Sequence, residues 1–160
     1  MSTLPQLIEE DIQEIEAALL DALAKSEADA ALLLDKGGFL ITRVGGTERF
    51  DATTLGALAA GSFAATQGVA QLVGENDFNC VYQQGARSSV IVHNVDDQTL
   101  LVIVFKAQVS AGAVKYHAAA AIERVTAQLR VARRRSPDQG IDLSVLNLAD
   151  TAVLFRRKTA

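Results

Sequence analysis

The side chains that could do chemistry are few. The chain has two histidines and one cysteine among 160 residues. His93 stands in an apolar stretch beside Val92 and Asn94, and His117 follows Tyr116. The histidines and Cys80 lack metal-ligand spacing, so no metal site and no metal cofactor are expected. A serine hydrolase of the elbow type would carry GxSxG, and that motif is absent. Isolated histidines of this kind read as structural or surface residues. Cys80 alternates with Phe78 and Tyr82, which reads as a small apolar side chain rather than a nucleophile. Gly45-Gly46-Thr47 resembles a fragment of a phosphate loop, but GxxxxGK[ST] and GxGxxG are both missing. The chain is therefore expected to catalyse nothing itself and to hold no nucleotide by the usual loop.

Bulk composition narrows the classes further. Apolar residues make up 49% of the chain, enough for one core, while aromatics are 5% and tryptophan is absent. The core should be aliphatic and rich in alanine. A formal charge of −4 argues against nucleic acid as a partner. A single cysteine excludes an internal disulfide and fits a reducing compartment. The acidic N-terminus (Glu9, Glu10, Asp11) is unlike a secretory signal, and no apolar run reaches a membrane span. A cytoplasmic protein without a membrane partner is expected.

The elements that must position any site follow from periodicity. Leu4–Lys25 carries Leu4, Ile8, Ile12, Ile15, Leu19 and Leu23 at helical spacing, with Pro5 in the first turn. Ala30–Leu34 and Phe39–Val44 flank Asp35-Lys36-Gly37-Gly38, a hairpin signal. Phe78–Gln83, Ser89–Val95 and Thr99–Phe105 read as three more strands, the last apolar enough to be covered on both faces. Ala111–Arg134 reads as the last long helix. Ser136-Pro137-Asp138-Gln139-Gly140 reads as a linker, and Val145, Leu148, Ala149, Ala152 and Val153 as a weak amphipathic segment that could form a short helix. The fold class is α+β in the order α-β-β-α-β-β-β-α, a five-stranded antiparallel sheet with helices on both faces. Residues 1–135 form the domain and 136–160 a tail.

The stretch Asp51–Val73 organises the rest. It has helical periodicity, yet no ionisable side chain lies between Asp51 and Glu75. A solvated helix normally carries charge on its outer side. Leu55, Leu58, Ser62, Thr66, Val69 and Val73 form one line, expected to face the sheet. The far side would then be Ala57, Ala60, Gly61, Phe63, Ala64, Gln67, Gly68 and Gln71. Each interior glycine costs roughly 1 kcal/mol against alanine, so a compensating contact is expected. That contact is expected to be a second protein surface.

Three stretches carry a resemblance. LLLDKGGFLITRVG, FDATTLGALAAGSFAATQGVAQLVGENDF and the strands ending in LLVIVF come in this order. The chain resembles the roadblock/dynein light-chain domain family over roughly Ile8 to Leu129, and within it the bacterial gliding-motility regulators of MglB type. The resemblance implies a roadblock/profilin-like layer fold and a homodimer joined at the sheet edge and through the central helix. It also implies a partner, a small Ras-like GTPase of MglA type. Hydrolysis by that partner would be stimulated by placing its own switch residues, without an arginine finger. The docking platform would use the eight far-side residues, with Phe63 as anchor or, alternatively, folded onto its own sheet. Cell polarity and motility follow from the resemblance alone. A dimeric scaffold with no effect on hydrolysis is the other reading.

Overall fold

The computed structural model describes residues 4–135. Helix α1 (Glu9–Ser26) is followed by β1 (Ala30–Asp35) and β2 (Leu40–Gly45), then a 3-10 turn at Thr47–Arg49. Helix α2 (Ala52–Leu72) leads to β3 (Cys80–Gln84), β4 (Ser88–Asn94) and β5 (Thr99–Lys106), and α3 (Ala111–Arg134) closes the domain. The five strands form one sheet in the order β2-β1-β5-β4-β3. Every pairing is antiparallel. The α-β-β-α-β-β-β-α order is the one the sequence predicts. The tail segment expected within 136–160 lies outside the described residues.

Alternation along the strands sorts the core into two layers. On β1, Leu33 faces α1 and α3, where Ile15, Leu19, Leu101, Phe105, Val125 and Leu129 meet. Leu32 and Leu34 point the other way, joining Val92, Leu100, Val102 and Phe63 beneath α2. Strand β5 lies between β1 and β4 and is buried on both faces, as its unbroken apolar run requires. The hairpin between β1 and β2 forms where expected. Asp35 Oδ1 accepts the Phe39 amide at 2.9 Å, and Gly38 turns the chain at φ +94°. A Cβ on Gly38 would stand 3.0 Å from the Ala57 Cα, so glycine also lets α2 approach the turn.

Helix α1 starts later than predicted. Leu4 and Pro5 lie ahead of it, and the first helical residue is Glu9. The chain stops being helical there because Asp11 caps it: its Oδ2 accepts the Ile8 amide at 2.9 Å. Asp11 is fully buried, although its neighbours Glu9 and Glu10 are exposed. The Arg135 guanidinium straddles its carboxylate at 2.6 and 3.0 Å, and the Gln128 amide donates at 2.7 Å. Burial alone would raise this carboxyl; the Arg135, Ile8 and Gln128 hydrogen bonds more than offset that and hold it below the usual range. The cation at the end of α3 thus ties α3 to the start of α1. Nearby, Arg133 reaches Asp96 in the β4–β5 turn at 2.8 Å, fixing the same helix end to the sheet.

Candidate docking surface

The start and end of α2 are set by local chemistry. Asp51 caps the N-terminus, its Oδ1 accepting the Thr54 amide at 3.1 Å and its Oδ2 the Thr54 hydroxyl at 2.7 Å. These hydrogen bonds hold its carboxyl below the usual range. Gly74, at φ +80°, ends the helix, with Gly74 donating to the Gln71 carbonyl and Glu75 to the Ala70 carbonyl. That pair of bonds is a Schellman stop.

The side α2 presents to its sheet differs from the expected one. Ala52, Gly56, Ala59, Ala60, Phe63 and Ala70 are the buried positions. Leu58, Val69, Leu72 and Val73 are exposed by half or more, Leu72 by 88%. The helix is turned by roughly a quarter turn from the predicted setting, at 3.6 residues per turn. The cause is space. Leu32, Leu34, Leu100 and Val102 already fill the sheet surface, and a Cβ on Gly56 would stand 2.9 Å from Leu34 Cδ2. Small residues let α2 settle closely, and the larger aliphatics are left outside.

The eight predicted platform residues divide accordingly. Ala57, Gly61, Ala64, Gly68 and Gln71 are exposed. Gln67 is half-buried, and its amide brackets the Phe78 backbone in both directions at 3.2 Å. Ala60 and Phe63 are buried against the sheet, 4% exposed each. In this fold Phe63 is a core residue that Lys36 crosses at 6.0 Å, so the anchor reading of Phe63 is replaced by the one that folds it onto its own sheet. The residues of that line that sequence reasoning set on the wrong side are Leu58, Val69 and Val73. Their exposure was readable only from crowding in the sheet, which one-dimensional periodicity does not contain.

The resulting surface is one exposed helix face without charge from end to end. Among the described residues, nothing lies within 4 Å of a Cβ placed on Gly61 or Gly68, so within them both sit on open surface between Leu58 and Leu72. Next to it runs β3, which among the described residues is an edge strand paired only with β4, and Gln83 reaches Ser62 of α2 at 3.2 Å. Helix face and strand edge are thus continuous. Exposed apolar surface combined with unpaired strand backbone marks a site of association.

The histidines show no such convergence. His93 is nearly buried with Nε2 unpartnered among the described residues. Burial, helped by the charge of Lys115, pushes it down to about 4. His117 stands edge-on to Tyr116 at 5.1 Å. Among the described residues, no three His, Cys, Asp or Glu side chains gather as a metal site would require. No helix among them is long and apolar enough to cross a membrane.

Comparison with known proteins bears on the same region. The Roadblock/LC7 domain profile matches residues 14–105, which span α1 through β5. This chain belongs to the Roadblock/LC7 domain family. The gliding protein MglB from Thermus thermophilus is 30% identical at a TM-score of 0.74, covering 82% of this chain and 100% of that one. MglB from Myxococcus xanthus is 31% identical at the same TM-score of 0.74, covering 81% and 98%. An MglB structure described as having a tetrameric arrangement is 29% identical over 82% of this chain and 99% of that chain, with a TM-score of 0.74. Profilin II of Acanthamoeba castellanii, 15% identical at a TM-score of 0.52 across 71% of this chain and 97% of its own, shares the fold alone. No curated protein matches the chain in sequence at a significant level.

Proposed function

We propose that this chain is a homodimeric regulator of a small Ras-like GTPase of MglA type and raises its rate of GTP hydrolysis. One observation carries the reading: the outer face of α2 is apolar, uncharged and continuous with the free edge of β3. Two copies joined along β3 place their α2 helices side by side. The paired helices then make a floor on which the partner rests. The likeness to MglB proteins at about 30% identity supports the same assignment.

The chemistry follows from what the face lacks. Without an ionisable group between Asp51 and Glu75, α2 offers neither an arginine finger nor a general base. In this reading, as the resemblance to MglB-type regulators implies, acceleration comes from holding the partner's own switch residues and attacking water in register. Positioning and preorganised electrostatics are the main contributions to phosphoryl transfer in any case.

The test is a turnover assay with the cognate GTPase. The chain alone is expected to hydrolyse no GTP, and its addition should raise the partner's turnover. Binding to the triphosphate-loaded GTPase without stimulation would make the chain a docking module. Absence of binding would refute both.

A further inference from the structure

Among the described residues the sheet has two free edges, β2 and β3, and they are built differently. Unpaired strand backbone is a template for another strand, and edges that stay single carry bulges or charge. Strand β2 has both. Its register against β1 slips between Leu33 and Leu34, which leaves Ile41 as the extra residue of a bulge, and Arg43 is exposed on it. Strand β3 has neither. Its pairing with β4 is regular from Cys80 to Gln84, and it contains no acidic or basic residue and no proline.

The free edge of β3 presents a defined set of groups. The Asn79 carbonyl accepts the Asn94 amide at 2.8 Å, so Asn79, Val81 and Gln83 turn their backbone N–H and C=O toward β4. Cys80, Tyr82 and Gln84 therefore turn theirs outward. A second copy related by a two-fold axis perpendicular to the sheet pairs these outward groups with their own counterparts, residue for residue about the axis. Centring the axis on Tyr82 joins all three: Tyr82 faces Tyr82, and Cys80 faces Gln84 on either side. Centring it on Val81 or Gln83 leaves one of the three outside the overlap of the strands. The Tyr82 side chain leaves the axis clear, because its ring lies back over the sheet, stacked on Phe105 at 6.1 Å and crossed by Lys115 at 5.8 Å. On the other face Gln83 donates to Ser62 Oγ at 3.2 Å, which sets that turn of α2 beside the axis. The same centring decides what meets at the ends of the seam. Asp77 and Arg87 are equally spaced before and after Tyr82, so Asp77 of each copy meets Arg87 of the other. Both are exposed, and among the described residues neither takes part in an ion pair.

We propose that two copies of this chain join β3 to β3 about an axis between their Tyr82 residues, with an Asp77–Arg87 pair closing each end of the seam. The inference rests on the dimeric reading above and adds its register, which fixes how the two α2 helices are set in the docking floor.

With Cys80→Ser as background, Val81→Cys, Tyr82→Cys and Gln83→Cys each carry a single thiol. Facing residues of a hydrogen-bonded pair have Cα atoms about 5.5 Å apart, within disulfide reach, whereas the two copies of residue 81 or 83 stand about 8 Å apart in this register. Tyr82→Cys is expected to give a disulfide-linked dimer under mild oxidation, and the other two to stay largely unlinked. Asp77→Arg and Arg87→Asp should each weaken the dimer several-fold in sedimentation equilibrium, and the double exchange should restore it, with circular dichroism unchanged throughout. Linkage through position 81 or 83 in place of 82, or a dimer indifferent to the charge reversals, would overturn the register and leave the dimer standing. A monomeric unaltered chain would overturn both.

Discussion

At the level of single residues, Phe63 and His93 show how much burial decides. In the sequence Phe63 is a lone aromatic among small residues, equally suited to a surface anchor or a core. It lies in the core, so Phe63→Ala should destabilise the domain by about 3–5 kcal/mol, measured by urea unfolding. A surface anchor would leave unfolding unchanged and weaken partner binding only. His93 is nearly buried and neutral, with its pKa down at about 4 against an ordinary 6.5. Between those values the unfolded chain takes up a proton that the folded chain refuses. Stability should therefore be full above about pH 6.5 and fall as pH drops toward 4, by an amount on the order of 3 kcal/mol. Unfolding free energies of His93→Leu, followed over that range, should lose most of this slope. An equal slope in the variant would place the proton uptake elsewhere.

At the level of elements, the strands and α3 were legible because their patterns are local. TLLVIVF can hardly be anything but a strand covered on both faces, and the turn glycines mark the hairpin. The ends of α1 and the orientation of α2 were not legible, because both depend on partners distant in sequence. Asp11 looks like one more acid in an acidic turn until Arg135 and Gln128 are brought to it across the fold. Asp11→Ala should cost about 2–3 kcal/mol, since it strands the Ile8 amide and the Arg135 charge together. Differential scanning calorimetry would show it. The periodicity of α2 located its apolar line correctly but pointed it at the sheet, whereas Gly56 and Ala59 take that place. Glycines at 61 and 68 test the corrected orientation. Gly61→Leu/Gly68→Leu meets no neighbour among the described residues at its Cβ positions, so thermal stability should hold or rise by the helix-propensity gain. Self-association, read by cross-linking, should fall. Loss of folding instead would show that these positions are enclosed by the domain itself.

At the level of the whole molecule, the fold is a layered sheet whose two faces serve different ends. The α1/α3 layer closes the core and is sealed at one end by Asp11, Arg135 and the Asp96–Arg133 pair. The α2 layer closes thinly with small side chains and leaves aliphatics outside. That asymmetry is the physical root of the proposed assembly, and the partner GTPase enters only after it. Sedimentation equilibrium on the 160-residue chain, beside its Leu58→Lys/Leu72→Lys variant, addresses it directly. The account predicts twice the monomer mass for the unaltered chain and a folded monomer for the variant. A monomer in the first case, or an undisturbed dimer in the second, would contradict it.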